Sequence, residues 1–158
     1  MEWDIRRADA PYIIKSPHLC DYLDDVLEEG DLVIDHAIIP VRDLYEAAES
    51  RRDVMRRSDS TPGSGPIPGG LWHTTDPRQQ EAVLADQLYK IVLTIAKRDI
   101  PMTLLYFPKF IHEAEYLYRK IWTALNGIPY DRFLDAFQHV ARPELVHEFG
   151  KGHAAEHH

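Results

Sequence analysis

Apolar positions along the chain follow two different periods. Over residues 18–29, Leu19, Tyr22, Leu23, Val26 and Leu27 recur at helical spacing with acids opposite them, and Gly30 stands where such a helix would end. Three other stretches are short, apolar and non-alternating: 12–15 (Tyr-Ile-Ile-Lys, closed by Ser16-Pro17), 32–41 (with Pro40 near its end) and 101–107 (stopped by Pro108). Such runs predict buried strands. Asp43 is placed to cap a helix running to about Arg57. The last turns of that helix carry Arg51, Arg52, Arg56 and Arg57, which suits the negative end of a helix dipole and reads as an exposed basic helix end, the alternative being an anion-attracting field around Ser50. Asp76-Pro77 opens a helix over 77–97 whose apolar set includes Val83, Leu84, Leu88, Ile91, Val92 and Ile95. Further helices are predicted over 112–126, ending near Gly127, and over 130–141. Between 58 and 76, Ser, Thr, Pro and Gly dominate, and a loop of that length inside a domain is usually functional or mobile.

The resulting order, β-α-β-α-loop-α-β-α-α with non-alternating strands, predicts an α/β fold: a three-layer parallel sheet with helices on both faces. It is expected to form one domain over residues 1–150, followed by a flexible 151–158 tail whose closing histidines look tag-derived.

Composition narrows the partners. The chain has 158 residues and a net charge of −8, which argues against a general nucleic-acid or anionic-membrane surface. A single cysteine, Cys20, excludes an intramolecular disulfide and fits a reducing compartment; on its predicted helix it reads as a small apolar residue. The first eight residues lack an apolar signal core, and no apolar stretch is long enough to span a bilayer, so a cytoplasmic location is expected. Nine histidines show no ligand spacing, and no metal site is expected.

The best-defined chemistry lies at Arg42 and Ser50. Arg42 falls at the carboxyl end of a predicted parallel strand, the edge where open α/β sheets bind ligands. Ser50 comes eight residues later, about two turns into the next helix. A guanidinium fork and a hydroxyl suit phosphate oxygens. The alternative is that Arg42 pairs only with Asp43 or a neighbouring acid, with Ser50 an indifferent helix residue.

The run Ile38-Ile39-Pro40-Val41-Arg42-Asp43, with Ser50 at that spacing, resembles the 3′-phosphate motif of the PAPS-dependent sulfotransferases. Tyr12-Ile13-Ile14-Lys15-Ser16-Pro17-His18 is similar to that family's strand ending in Lys-x-Pro or Lys-Thr-His. Gly69-Gly70-Leu71-Trp72, Gln79-Gln80-Glu81 and Ile100-Pro101 through Phe107-Pro108 look like its bacterial branches, so the resemblance covers roughly residues 10–149. It implies a P-loop nucleotide hydrolase/sulfotransferase-like fold and transfer of a sulfuryl group from PAPS to a hydroxyl or amine of a small-molecule or carbohydrate acceptor. Arg42 and Ser50 carry over as ligands of the 3′-phosphate of PAPS or of its product, adenosine 3′,5′-bisphosphate. Lys15 carries over as a cation near the transferring group, where negative charge builds up, and His18 as a general base on the acceptor. In the animal cytosolic enzymes the histidine lies two residues after the lysine; His18 lies three after Lys15.

The same resemblance implies a 5′-phosphosulfate loop between a strand and a helix, which cradles the anion with backbone N–H groups. Only 11 residues precede the Tyr12 run, and no Gly-x-x-x-x-Gly-Lys-Ser/Thr occurs. Gly63-Ser64-Gly65 is interrupted by Pro62, Pro66 and Pro68. The fold is therefore expected to be incomplete at its N-terminus, with catalysis impaired unless a longer reading frame or a partner supplies the loop. The unpaired strand edges then point to a homodimer or a partner chain. The alternative is a non-catalytic nucleotide-binding or protein-interaction domain derived from the same fold. Trp72 and His73 are candidates to line an acceptor pocket, whereas Tyr116, Tyr118 and Trp122 read as packing residues.

Overall fold

Local signals set most of the helices. The computed structural model describes residues 5, 7, 9–30, 32–58, 67–147 and 149. Helix α1, Leu19–Glu28, turns Leu23 and Val26 inward and is followed by Gly30 at a φ of 79°, a left-handed value that glycine adopts without strain. Helix α2, Leu44–Ser58, begins after Asp43, whose carboxylate accepts the Glu46 N–H at 3.1 Å and so satisfies one of the helix's free donors. A 3₁₀ turn, Pro77–Gln79, leads into α3, Gln80–Lys97, and the Asp76 carboxylate accepts the Arg78 N–H at 3.0 Å. The helix expected over 112–126 is three pieces: α4, Lys109–His112; α5, Ala114–Ile121; and a 3₁₀ turn, Trp122–Leu125. Glu113 is extended between the first two, and Asn126 and Gly127, both at positive φ, turn the chain out of the third. Helix α6 spans Tyr130–Val140, and a final 3₁₀ turn spans Pro143–Leu145.

The sheet departs most from expectation. It has two strands, β1 (Ala37–Val41) and β2 (Met102–Tyr106). Ala37 donates to the Pro101 carbonyl and Phe107 donates to the Val41 carbonyl, both at 2.8 Å, so residue numbers rise together along the pair and the strands are parallel. The predicted three-layer sheet with helices on both faces is thus corrected to a parallel pair, with 57% of the described residues helical. The Tyr12–Lys15 run forms no strand: Tyr12 and Ile13 are 85% and 77% exposed. A strand is held by its neighbour's backbone and by burial of its side chains, and a run this short supplies neither by itself. In the 32–41 run only the last five residues pair, and Val33 stays exposed. Ile38, Leu104 and Tyr106 are also exposed, so one side of the strand pair is uncovered.

The chain divides into two compact units, Met1–Ala37 with Ala85–Met102, and Ile38–Leu84 with Thr103–His158. The first buries Ile5, Leu23, Val26 and Ile95 together with Thr94. The second buries Ala48, Leu105 and the polar Gln80. It also contains an aromatic cluster around Tyr118, whose ring lies 5.1–5.3 Å from those of Trp122, Tyr130 and Phe133 and whose hydroxyl donates to the Ile128 carbonyl at 2.8 Å. The packing role read for Tyr118 and Trp122 matches this arrangement. Among the described residues no helix is long and apolar enough to cross a membrane. The 151–158 tail and the Gly63-Ser64-Gly65 stretch lie outside the described residues.

Candidate phosphate-binding site

Arg42 leaves the carboxyl end of β1 just ahead of the Asp43 cap of α2. Because Phe107 bonds to Val41, the exit of β2 lies alongside, and the Arg42 guanidinium stacks over the Phe107 ring at 4.7 Å and the Phe149 ring at 5.6 Å. Two of its three nitrogens are engaged. Nε donates to Glu46 Oε2 at 3.3 Å, and Nη2 donates to the His147 carbonyl at 2.8 Å. The two side chains are 18% and 30% exposed, so water screens this contact only in part.

Ser50 is half-buried on α2. Arg42, Glu46 and Ser50 follow at four-residue intervals, so Glu46 and Ser50 are neighbours on one stripe of the helix. A phosphate drawn to Arg42 and Ser50 would meet the Glu46 carboxylate. The Glu46 carboxylate occupies the Nε–H edge of the fork.

Lys15 and His18 belong to the other unit. Lys15 is exposed, in irregular chain rather than at a strand end. His18 is exposed at the N-cap position of α1, with Nδ1 4.0 Å from the Asp21 carboxylate. Nearby, the Ser16 and Tyr22 hydroxyls share a hydrogen bond of 2.7 Å. The same unit has a cleft of about 240 Å³ lined by residues 20–25 of α1 and by Lys90, Ile91 and Thr94 of α3. Burial, and then the Asp21 carboxylate, push the Cys20 thiol's pKa up, which keeps it protonated and poorly nucleophilic.

Two features escaped the sequence reading. Glu46 was open to it as the acid four residues after an arginine, within the alternative that Arg42 pairs with a neighbouring acid. The reading of Arg51 and Arg52 as parts of an exposed helix end is corrected. Arg52 is held by Glu49 at 2.7 Å, Glu81 at 3.0 Å and the Pro77 carbonyl at 2.8 Å. Arg51 is half-buried, its guanidinium 5.3 Å from the Trp72 ring centroid. Both tertiary partners come from the 67–81 segment, which no local pattern in α2 announces. Comparison with known protein families, with curated proteins and with solved structures gives no match.

Proposed function

We propose that this chain is a sulfotransferase-like protein that holds the 3′-phosphate of PAPS, or of adenosine 3′,5′-bisphosphate, between Arg42 and Ser50. The observation that carries the reading is the junction itself. An arginine sits at the carboxyl end of a parallel strand, beside the exit of a second strand and ahead of a capped helix that bears a serine two turns on. Strand-to-helix junctions of this kind suit anions in general, because a helix N-terminus and a guanidinium fork both offer donors to oxygens. The proposed reaction moves a sulfuryl group to a hydroxyl or amine. This sequence holds no glycine-rich phosphate loop, so a longer chain or a different partner chain is proposed to supply one. The uncovered side of the strand pair at Ile38, Leu104 and Tyr106 offers an apolar surface for such an association.

A second reading is favoured by the contacts of Arg42. Bonded to Glu46 and to the His147 carbonyl and lying over the Phe107 and Phe149 rings, it ties His147 and Phe149 to the end of β1. On this reading the chain is a non-catalytic interaction domain and Arg42 stabilises it.

Isothermal titration with adenosine 3′,5′-bisphosphate separates the two. Loss of a charge-assisted phosphate contact in Arg42→Ala should weaken binding by about 10- to 150-fold, the equivalent of about 1.5–3 kcal/mol. Ser50→Ala should weaken it several-fold, and Lys90→Ala should leave it unchanged. No heat of binding at millimolar nucleotide, with Arg42→Ala lowering only thermal stability, would establish the second reading instead. Transfer of labelled sulfate from PAPS across an acceptor panel then distinguishes an enzyme from a nucleotide binder.

A further inference from the structure

Helix α2 carries three acids and four arginines, and its ion pairs leave one arginine over. Glu46 pairs with Arg42; Glu49 with Arg52 at 2.7 Å and Arg56 at 3.4 Å; Asp53 with Arg56 at 3.6 Å and Arg57 at 2.6 Å. Arg51 has no carboxylate within pairing distance among the described residues, although it is half-buried while Arg56 and Arg57 stand in solvent. Burial lowers its pKa, and no acid opposes that effect. A half-buried cation without a counter-charge is unfavourable, and a bound anion would offset that cost.

The surroundings of Arg51 are built rather than loose. One guanidinium nitrogen, Nη1, donates to the Gly70 carbonyl at 3.0 Å, and the guanidinium carbon lies over the indole ring of Trp72, 5.3 Å from its centroid. Trp72 is fixed through its backbone: its N–H donates to Gln80 Oε1 at 2.6 Å, and Gln80 Nε2 donates to its carbonyl at 3.3 Å. Gln80 is fully buried, so these bonds are shielded from water. Gly70 packs so closely on α2 that a Cβ there would stand 2.7 Å from Met55 Sδ. His73 follows with a φ of 51°, rare for a residue with a side chain, and its ring lies edge-on to Trp72 at 5.0 Å. The loop is thus held at three points against α2 and the start of α3, in a strained conformation that packing enforces.

A guanidinium stacked on a ring keeps its in-plane donors for a second partner, and their fork geometry matches two oxygens of one group. We infer that Arg51, Trp72 and the 67–74 loop form a recess that binds an oxyanion group of a small ligand, of the carboxylate, sulfate or phosphate kind, independently of Arg42 and Ser50. Ser50 and Arg51 are adjacent on α2 and so point about 100° apart around the helix axis, which gives the two anion sites separate approaches. This inference does not depend on the nucleotide reading. It stands on one helix, one loop and the arginine between them.

The test uses the fluorescence of Trp72. The full chain carrying Trp3→Phe and Trp122→Phe reports Trp72 alone; it is titrated with inorganic sulfate, inorganic phosphate and benzoate, chloride holding ionic strength constant. The expected result is a saturable change with at least one of the three, weakened at least tenfold in Arg51→Gln and several-fold in Arg51→Lys, which keeps the charge but loses the fork. Arg57→Gln and Arg42→Ala should both leave it intact. An equal response in Arg51→Gln, or no saturable response to any anion, overturns the inference, and loss of the response in Arg42→Ala overturns the independence of the site. Should Arg51→Gln fail to fold, the Arg51 Nε–H resonance of the unmodified chain decides. It should shift on anion addition with the same saturation, and an unmoved resonance refutes the recess.

Discussion

On the proposed nucleotide reading, Glu46, which pairs with Arg42, is the carboxylate that a 3′-phosphate displaces, so Glu46→Gln should improve nucleotide binding. The amide keeps the shape of the side chain and can still accept from Arg42, so the start of α2 is preserved. Two terms add. Releasing Arg42 from a partly exposed pair returns about 0.5–1 kcal/mol to the incoming ligand. Removing one negative charge about 6 Å from a phosphate dianion relieves roughly 1.4–2.8 kcal/mol at effective dielectric constants of about 80 and 40. Ions at physiological strength screen that by about half at such a distance, leaving about 1 kcal/mol. The sum, about 1–2 kcal/mol, corresponds to roughly 5- to 30-fold tighter binding of adenosine 3′,5′-bisphosphate. Titration calorimetry at fixed ionic strength measures it, with the melting temperature confirming that the fold is kept. The gain should vanish in an Arg42→Ala background, because both terms act through an anion held at Arg42. Unchanged or weaker binding in a well-folded Glu46→Gln protein would refute the reasoning.

Other outcomes follow from single contacts. Gln80→Leu leaves the Trp72 N–H and carbonyl without the buried amide that pairs them and should cost about 1–3 kcal/mol in urea denaturation; a loss under 0.5 kcal/mol would show that the loop is held otherwise. Tyr118→Phe removes the hydroxyl bond to Ile128 and should cost about 1 kcal/mol, whereas Tyr118→Ala, which also empties the centre of the aromatic cluster, should cost at least about twice that by the same assay. The Arg78 side-chain hydrogen bond holds the Asp76 carboxyl below its usual range, so the folded chain binds that proton less readily than the unfolded chain. Its contribution is full above the ordinary aspartate pKa of about 4 and is lost as pH falls through the lowered folded-state value. Melting temperatures from neutral pH down to about pH 2 should therefore fall less steeply at the acid end in Asp76→Asn; parallel curves would contradict this.

The helices were legible because their signals are local. Gly30 ends α1, Asp43 caps α2, and Asp76-Pro77 starts the turn into α3. The paired parts of β1 and β2 were legible as apolar runs bounded by proline, but their number and cover were not. Nothing within Tyr12–Lys15 says whether a neighbouring strand exists, and without one its side chains stay in water. The two arginines divide the same way. Arg42 stood out from its position between a strand and a helix, while its acid partner, Glu46, was covered only as an unnamed neighbouring acid. Arg51 looked like any basic residue near a helix end, because its burial comes from a tryptophan 21 positions away.

The most direct measurement compares adenosine 3′,5′-bisphosphate with adenosine 5′-monophosphate on the unmodified chain and on Arg42→Ala. The two ligands differ only in the 3′-phosphate. A preference of at least tenfold for the bisphosphate, reduced to near equality by the substitution, is the predicted result. Equal affinity for both nucleotides in the unmodified chain, or a preference that persists without Arg42, would contradict the proposed role of Arg42.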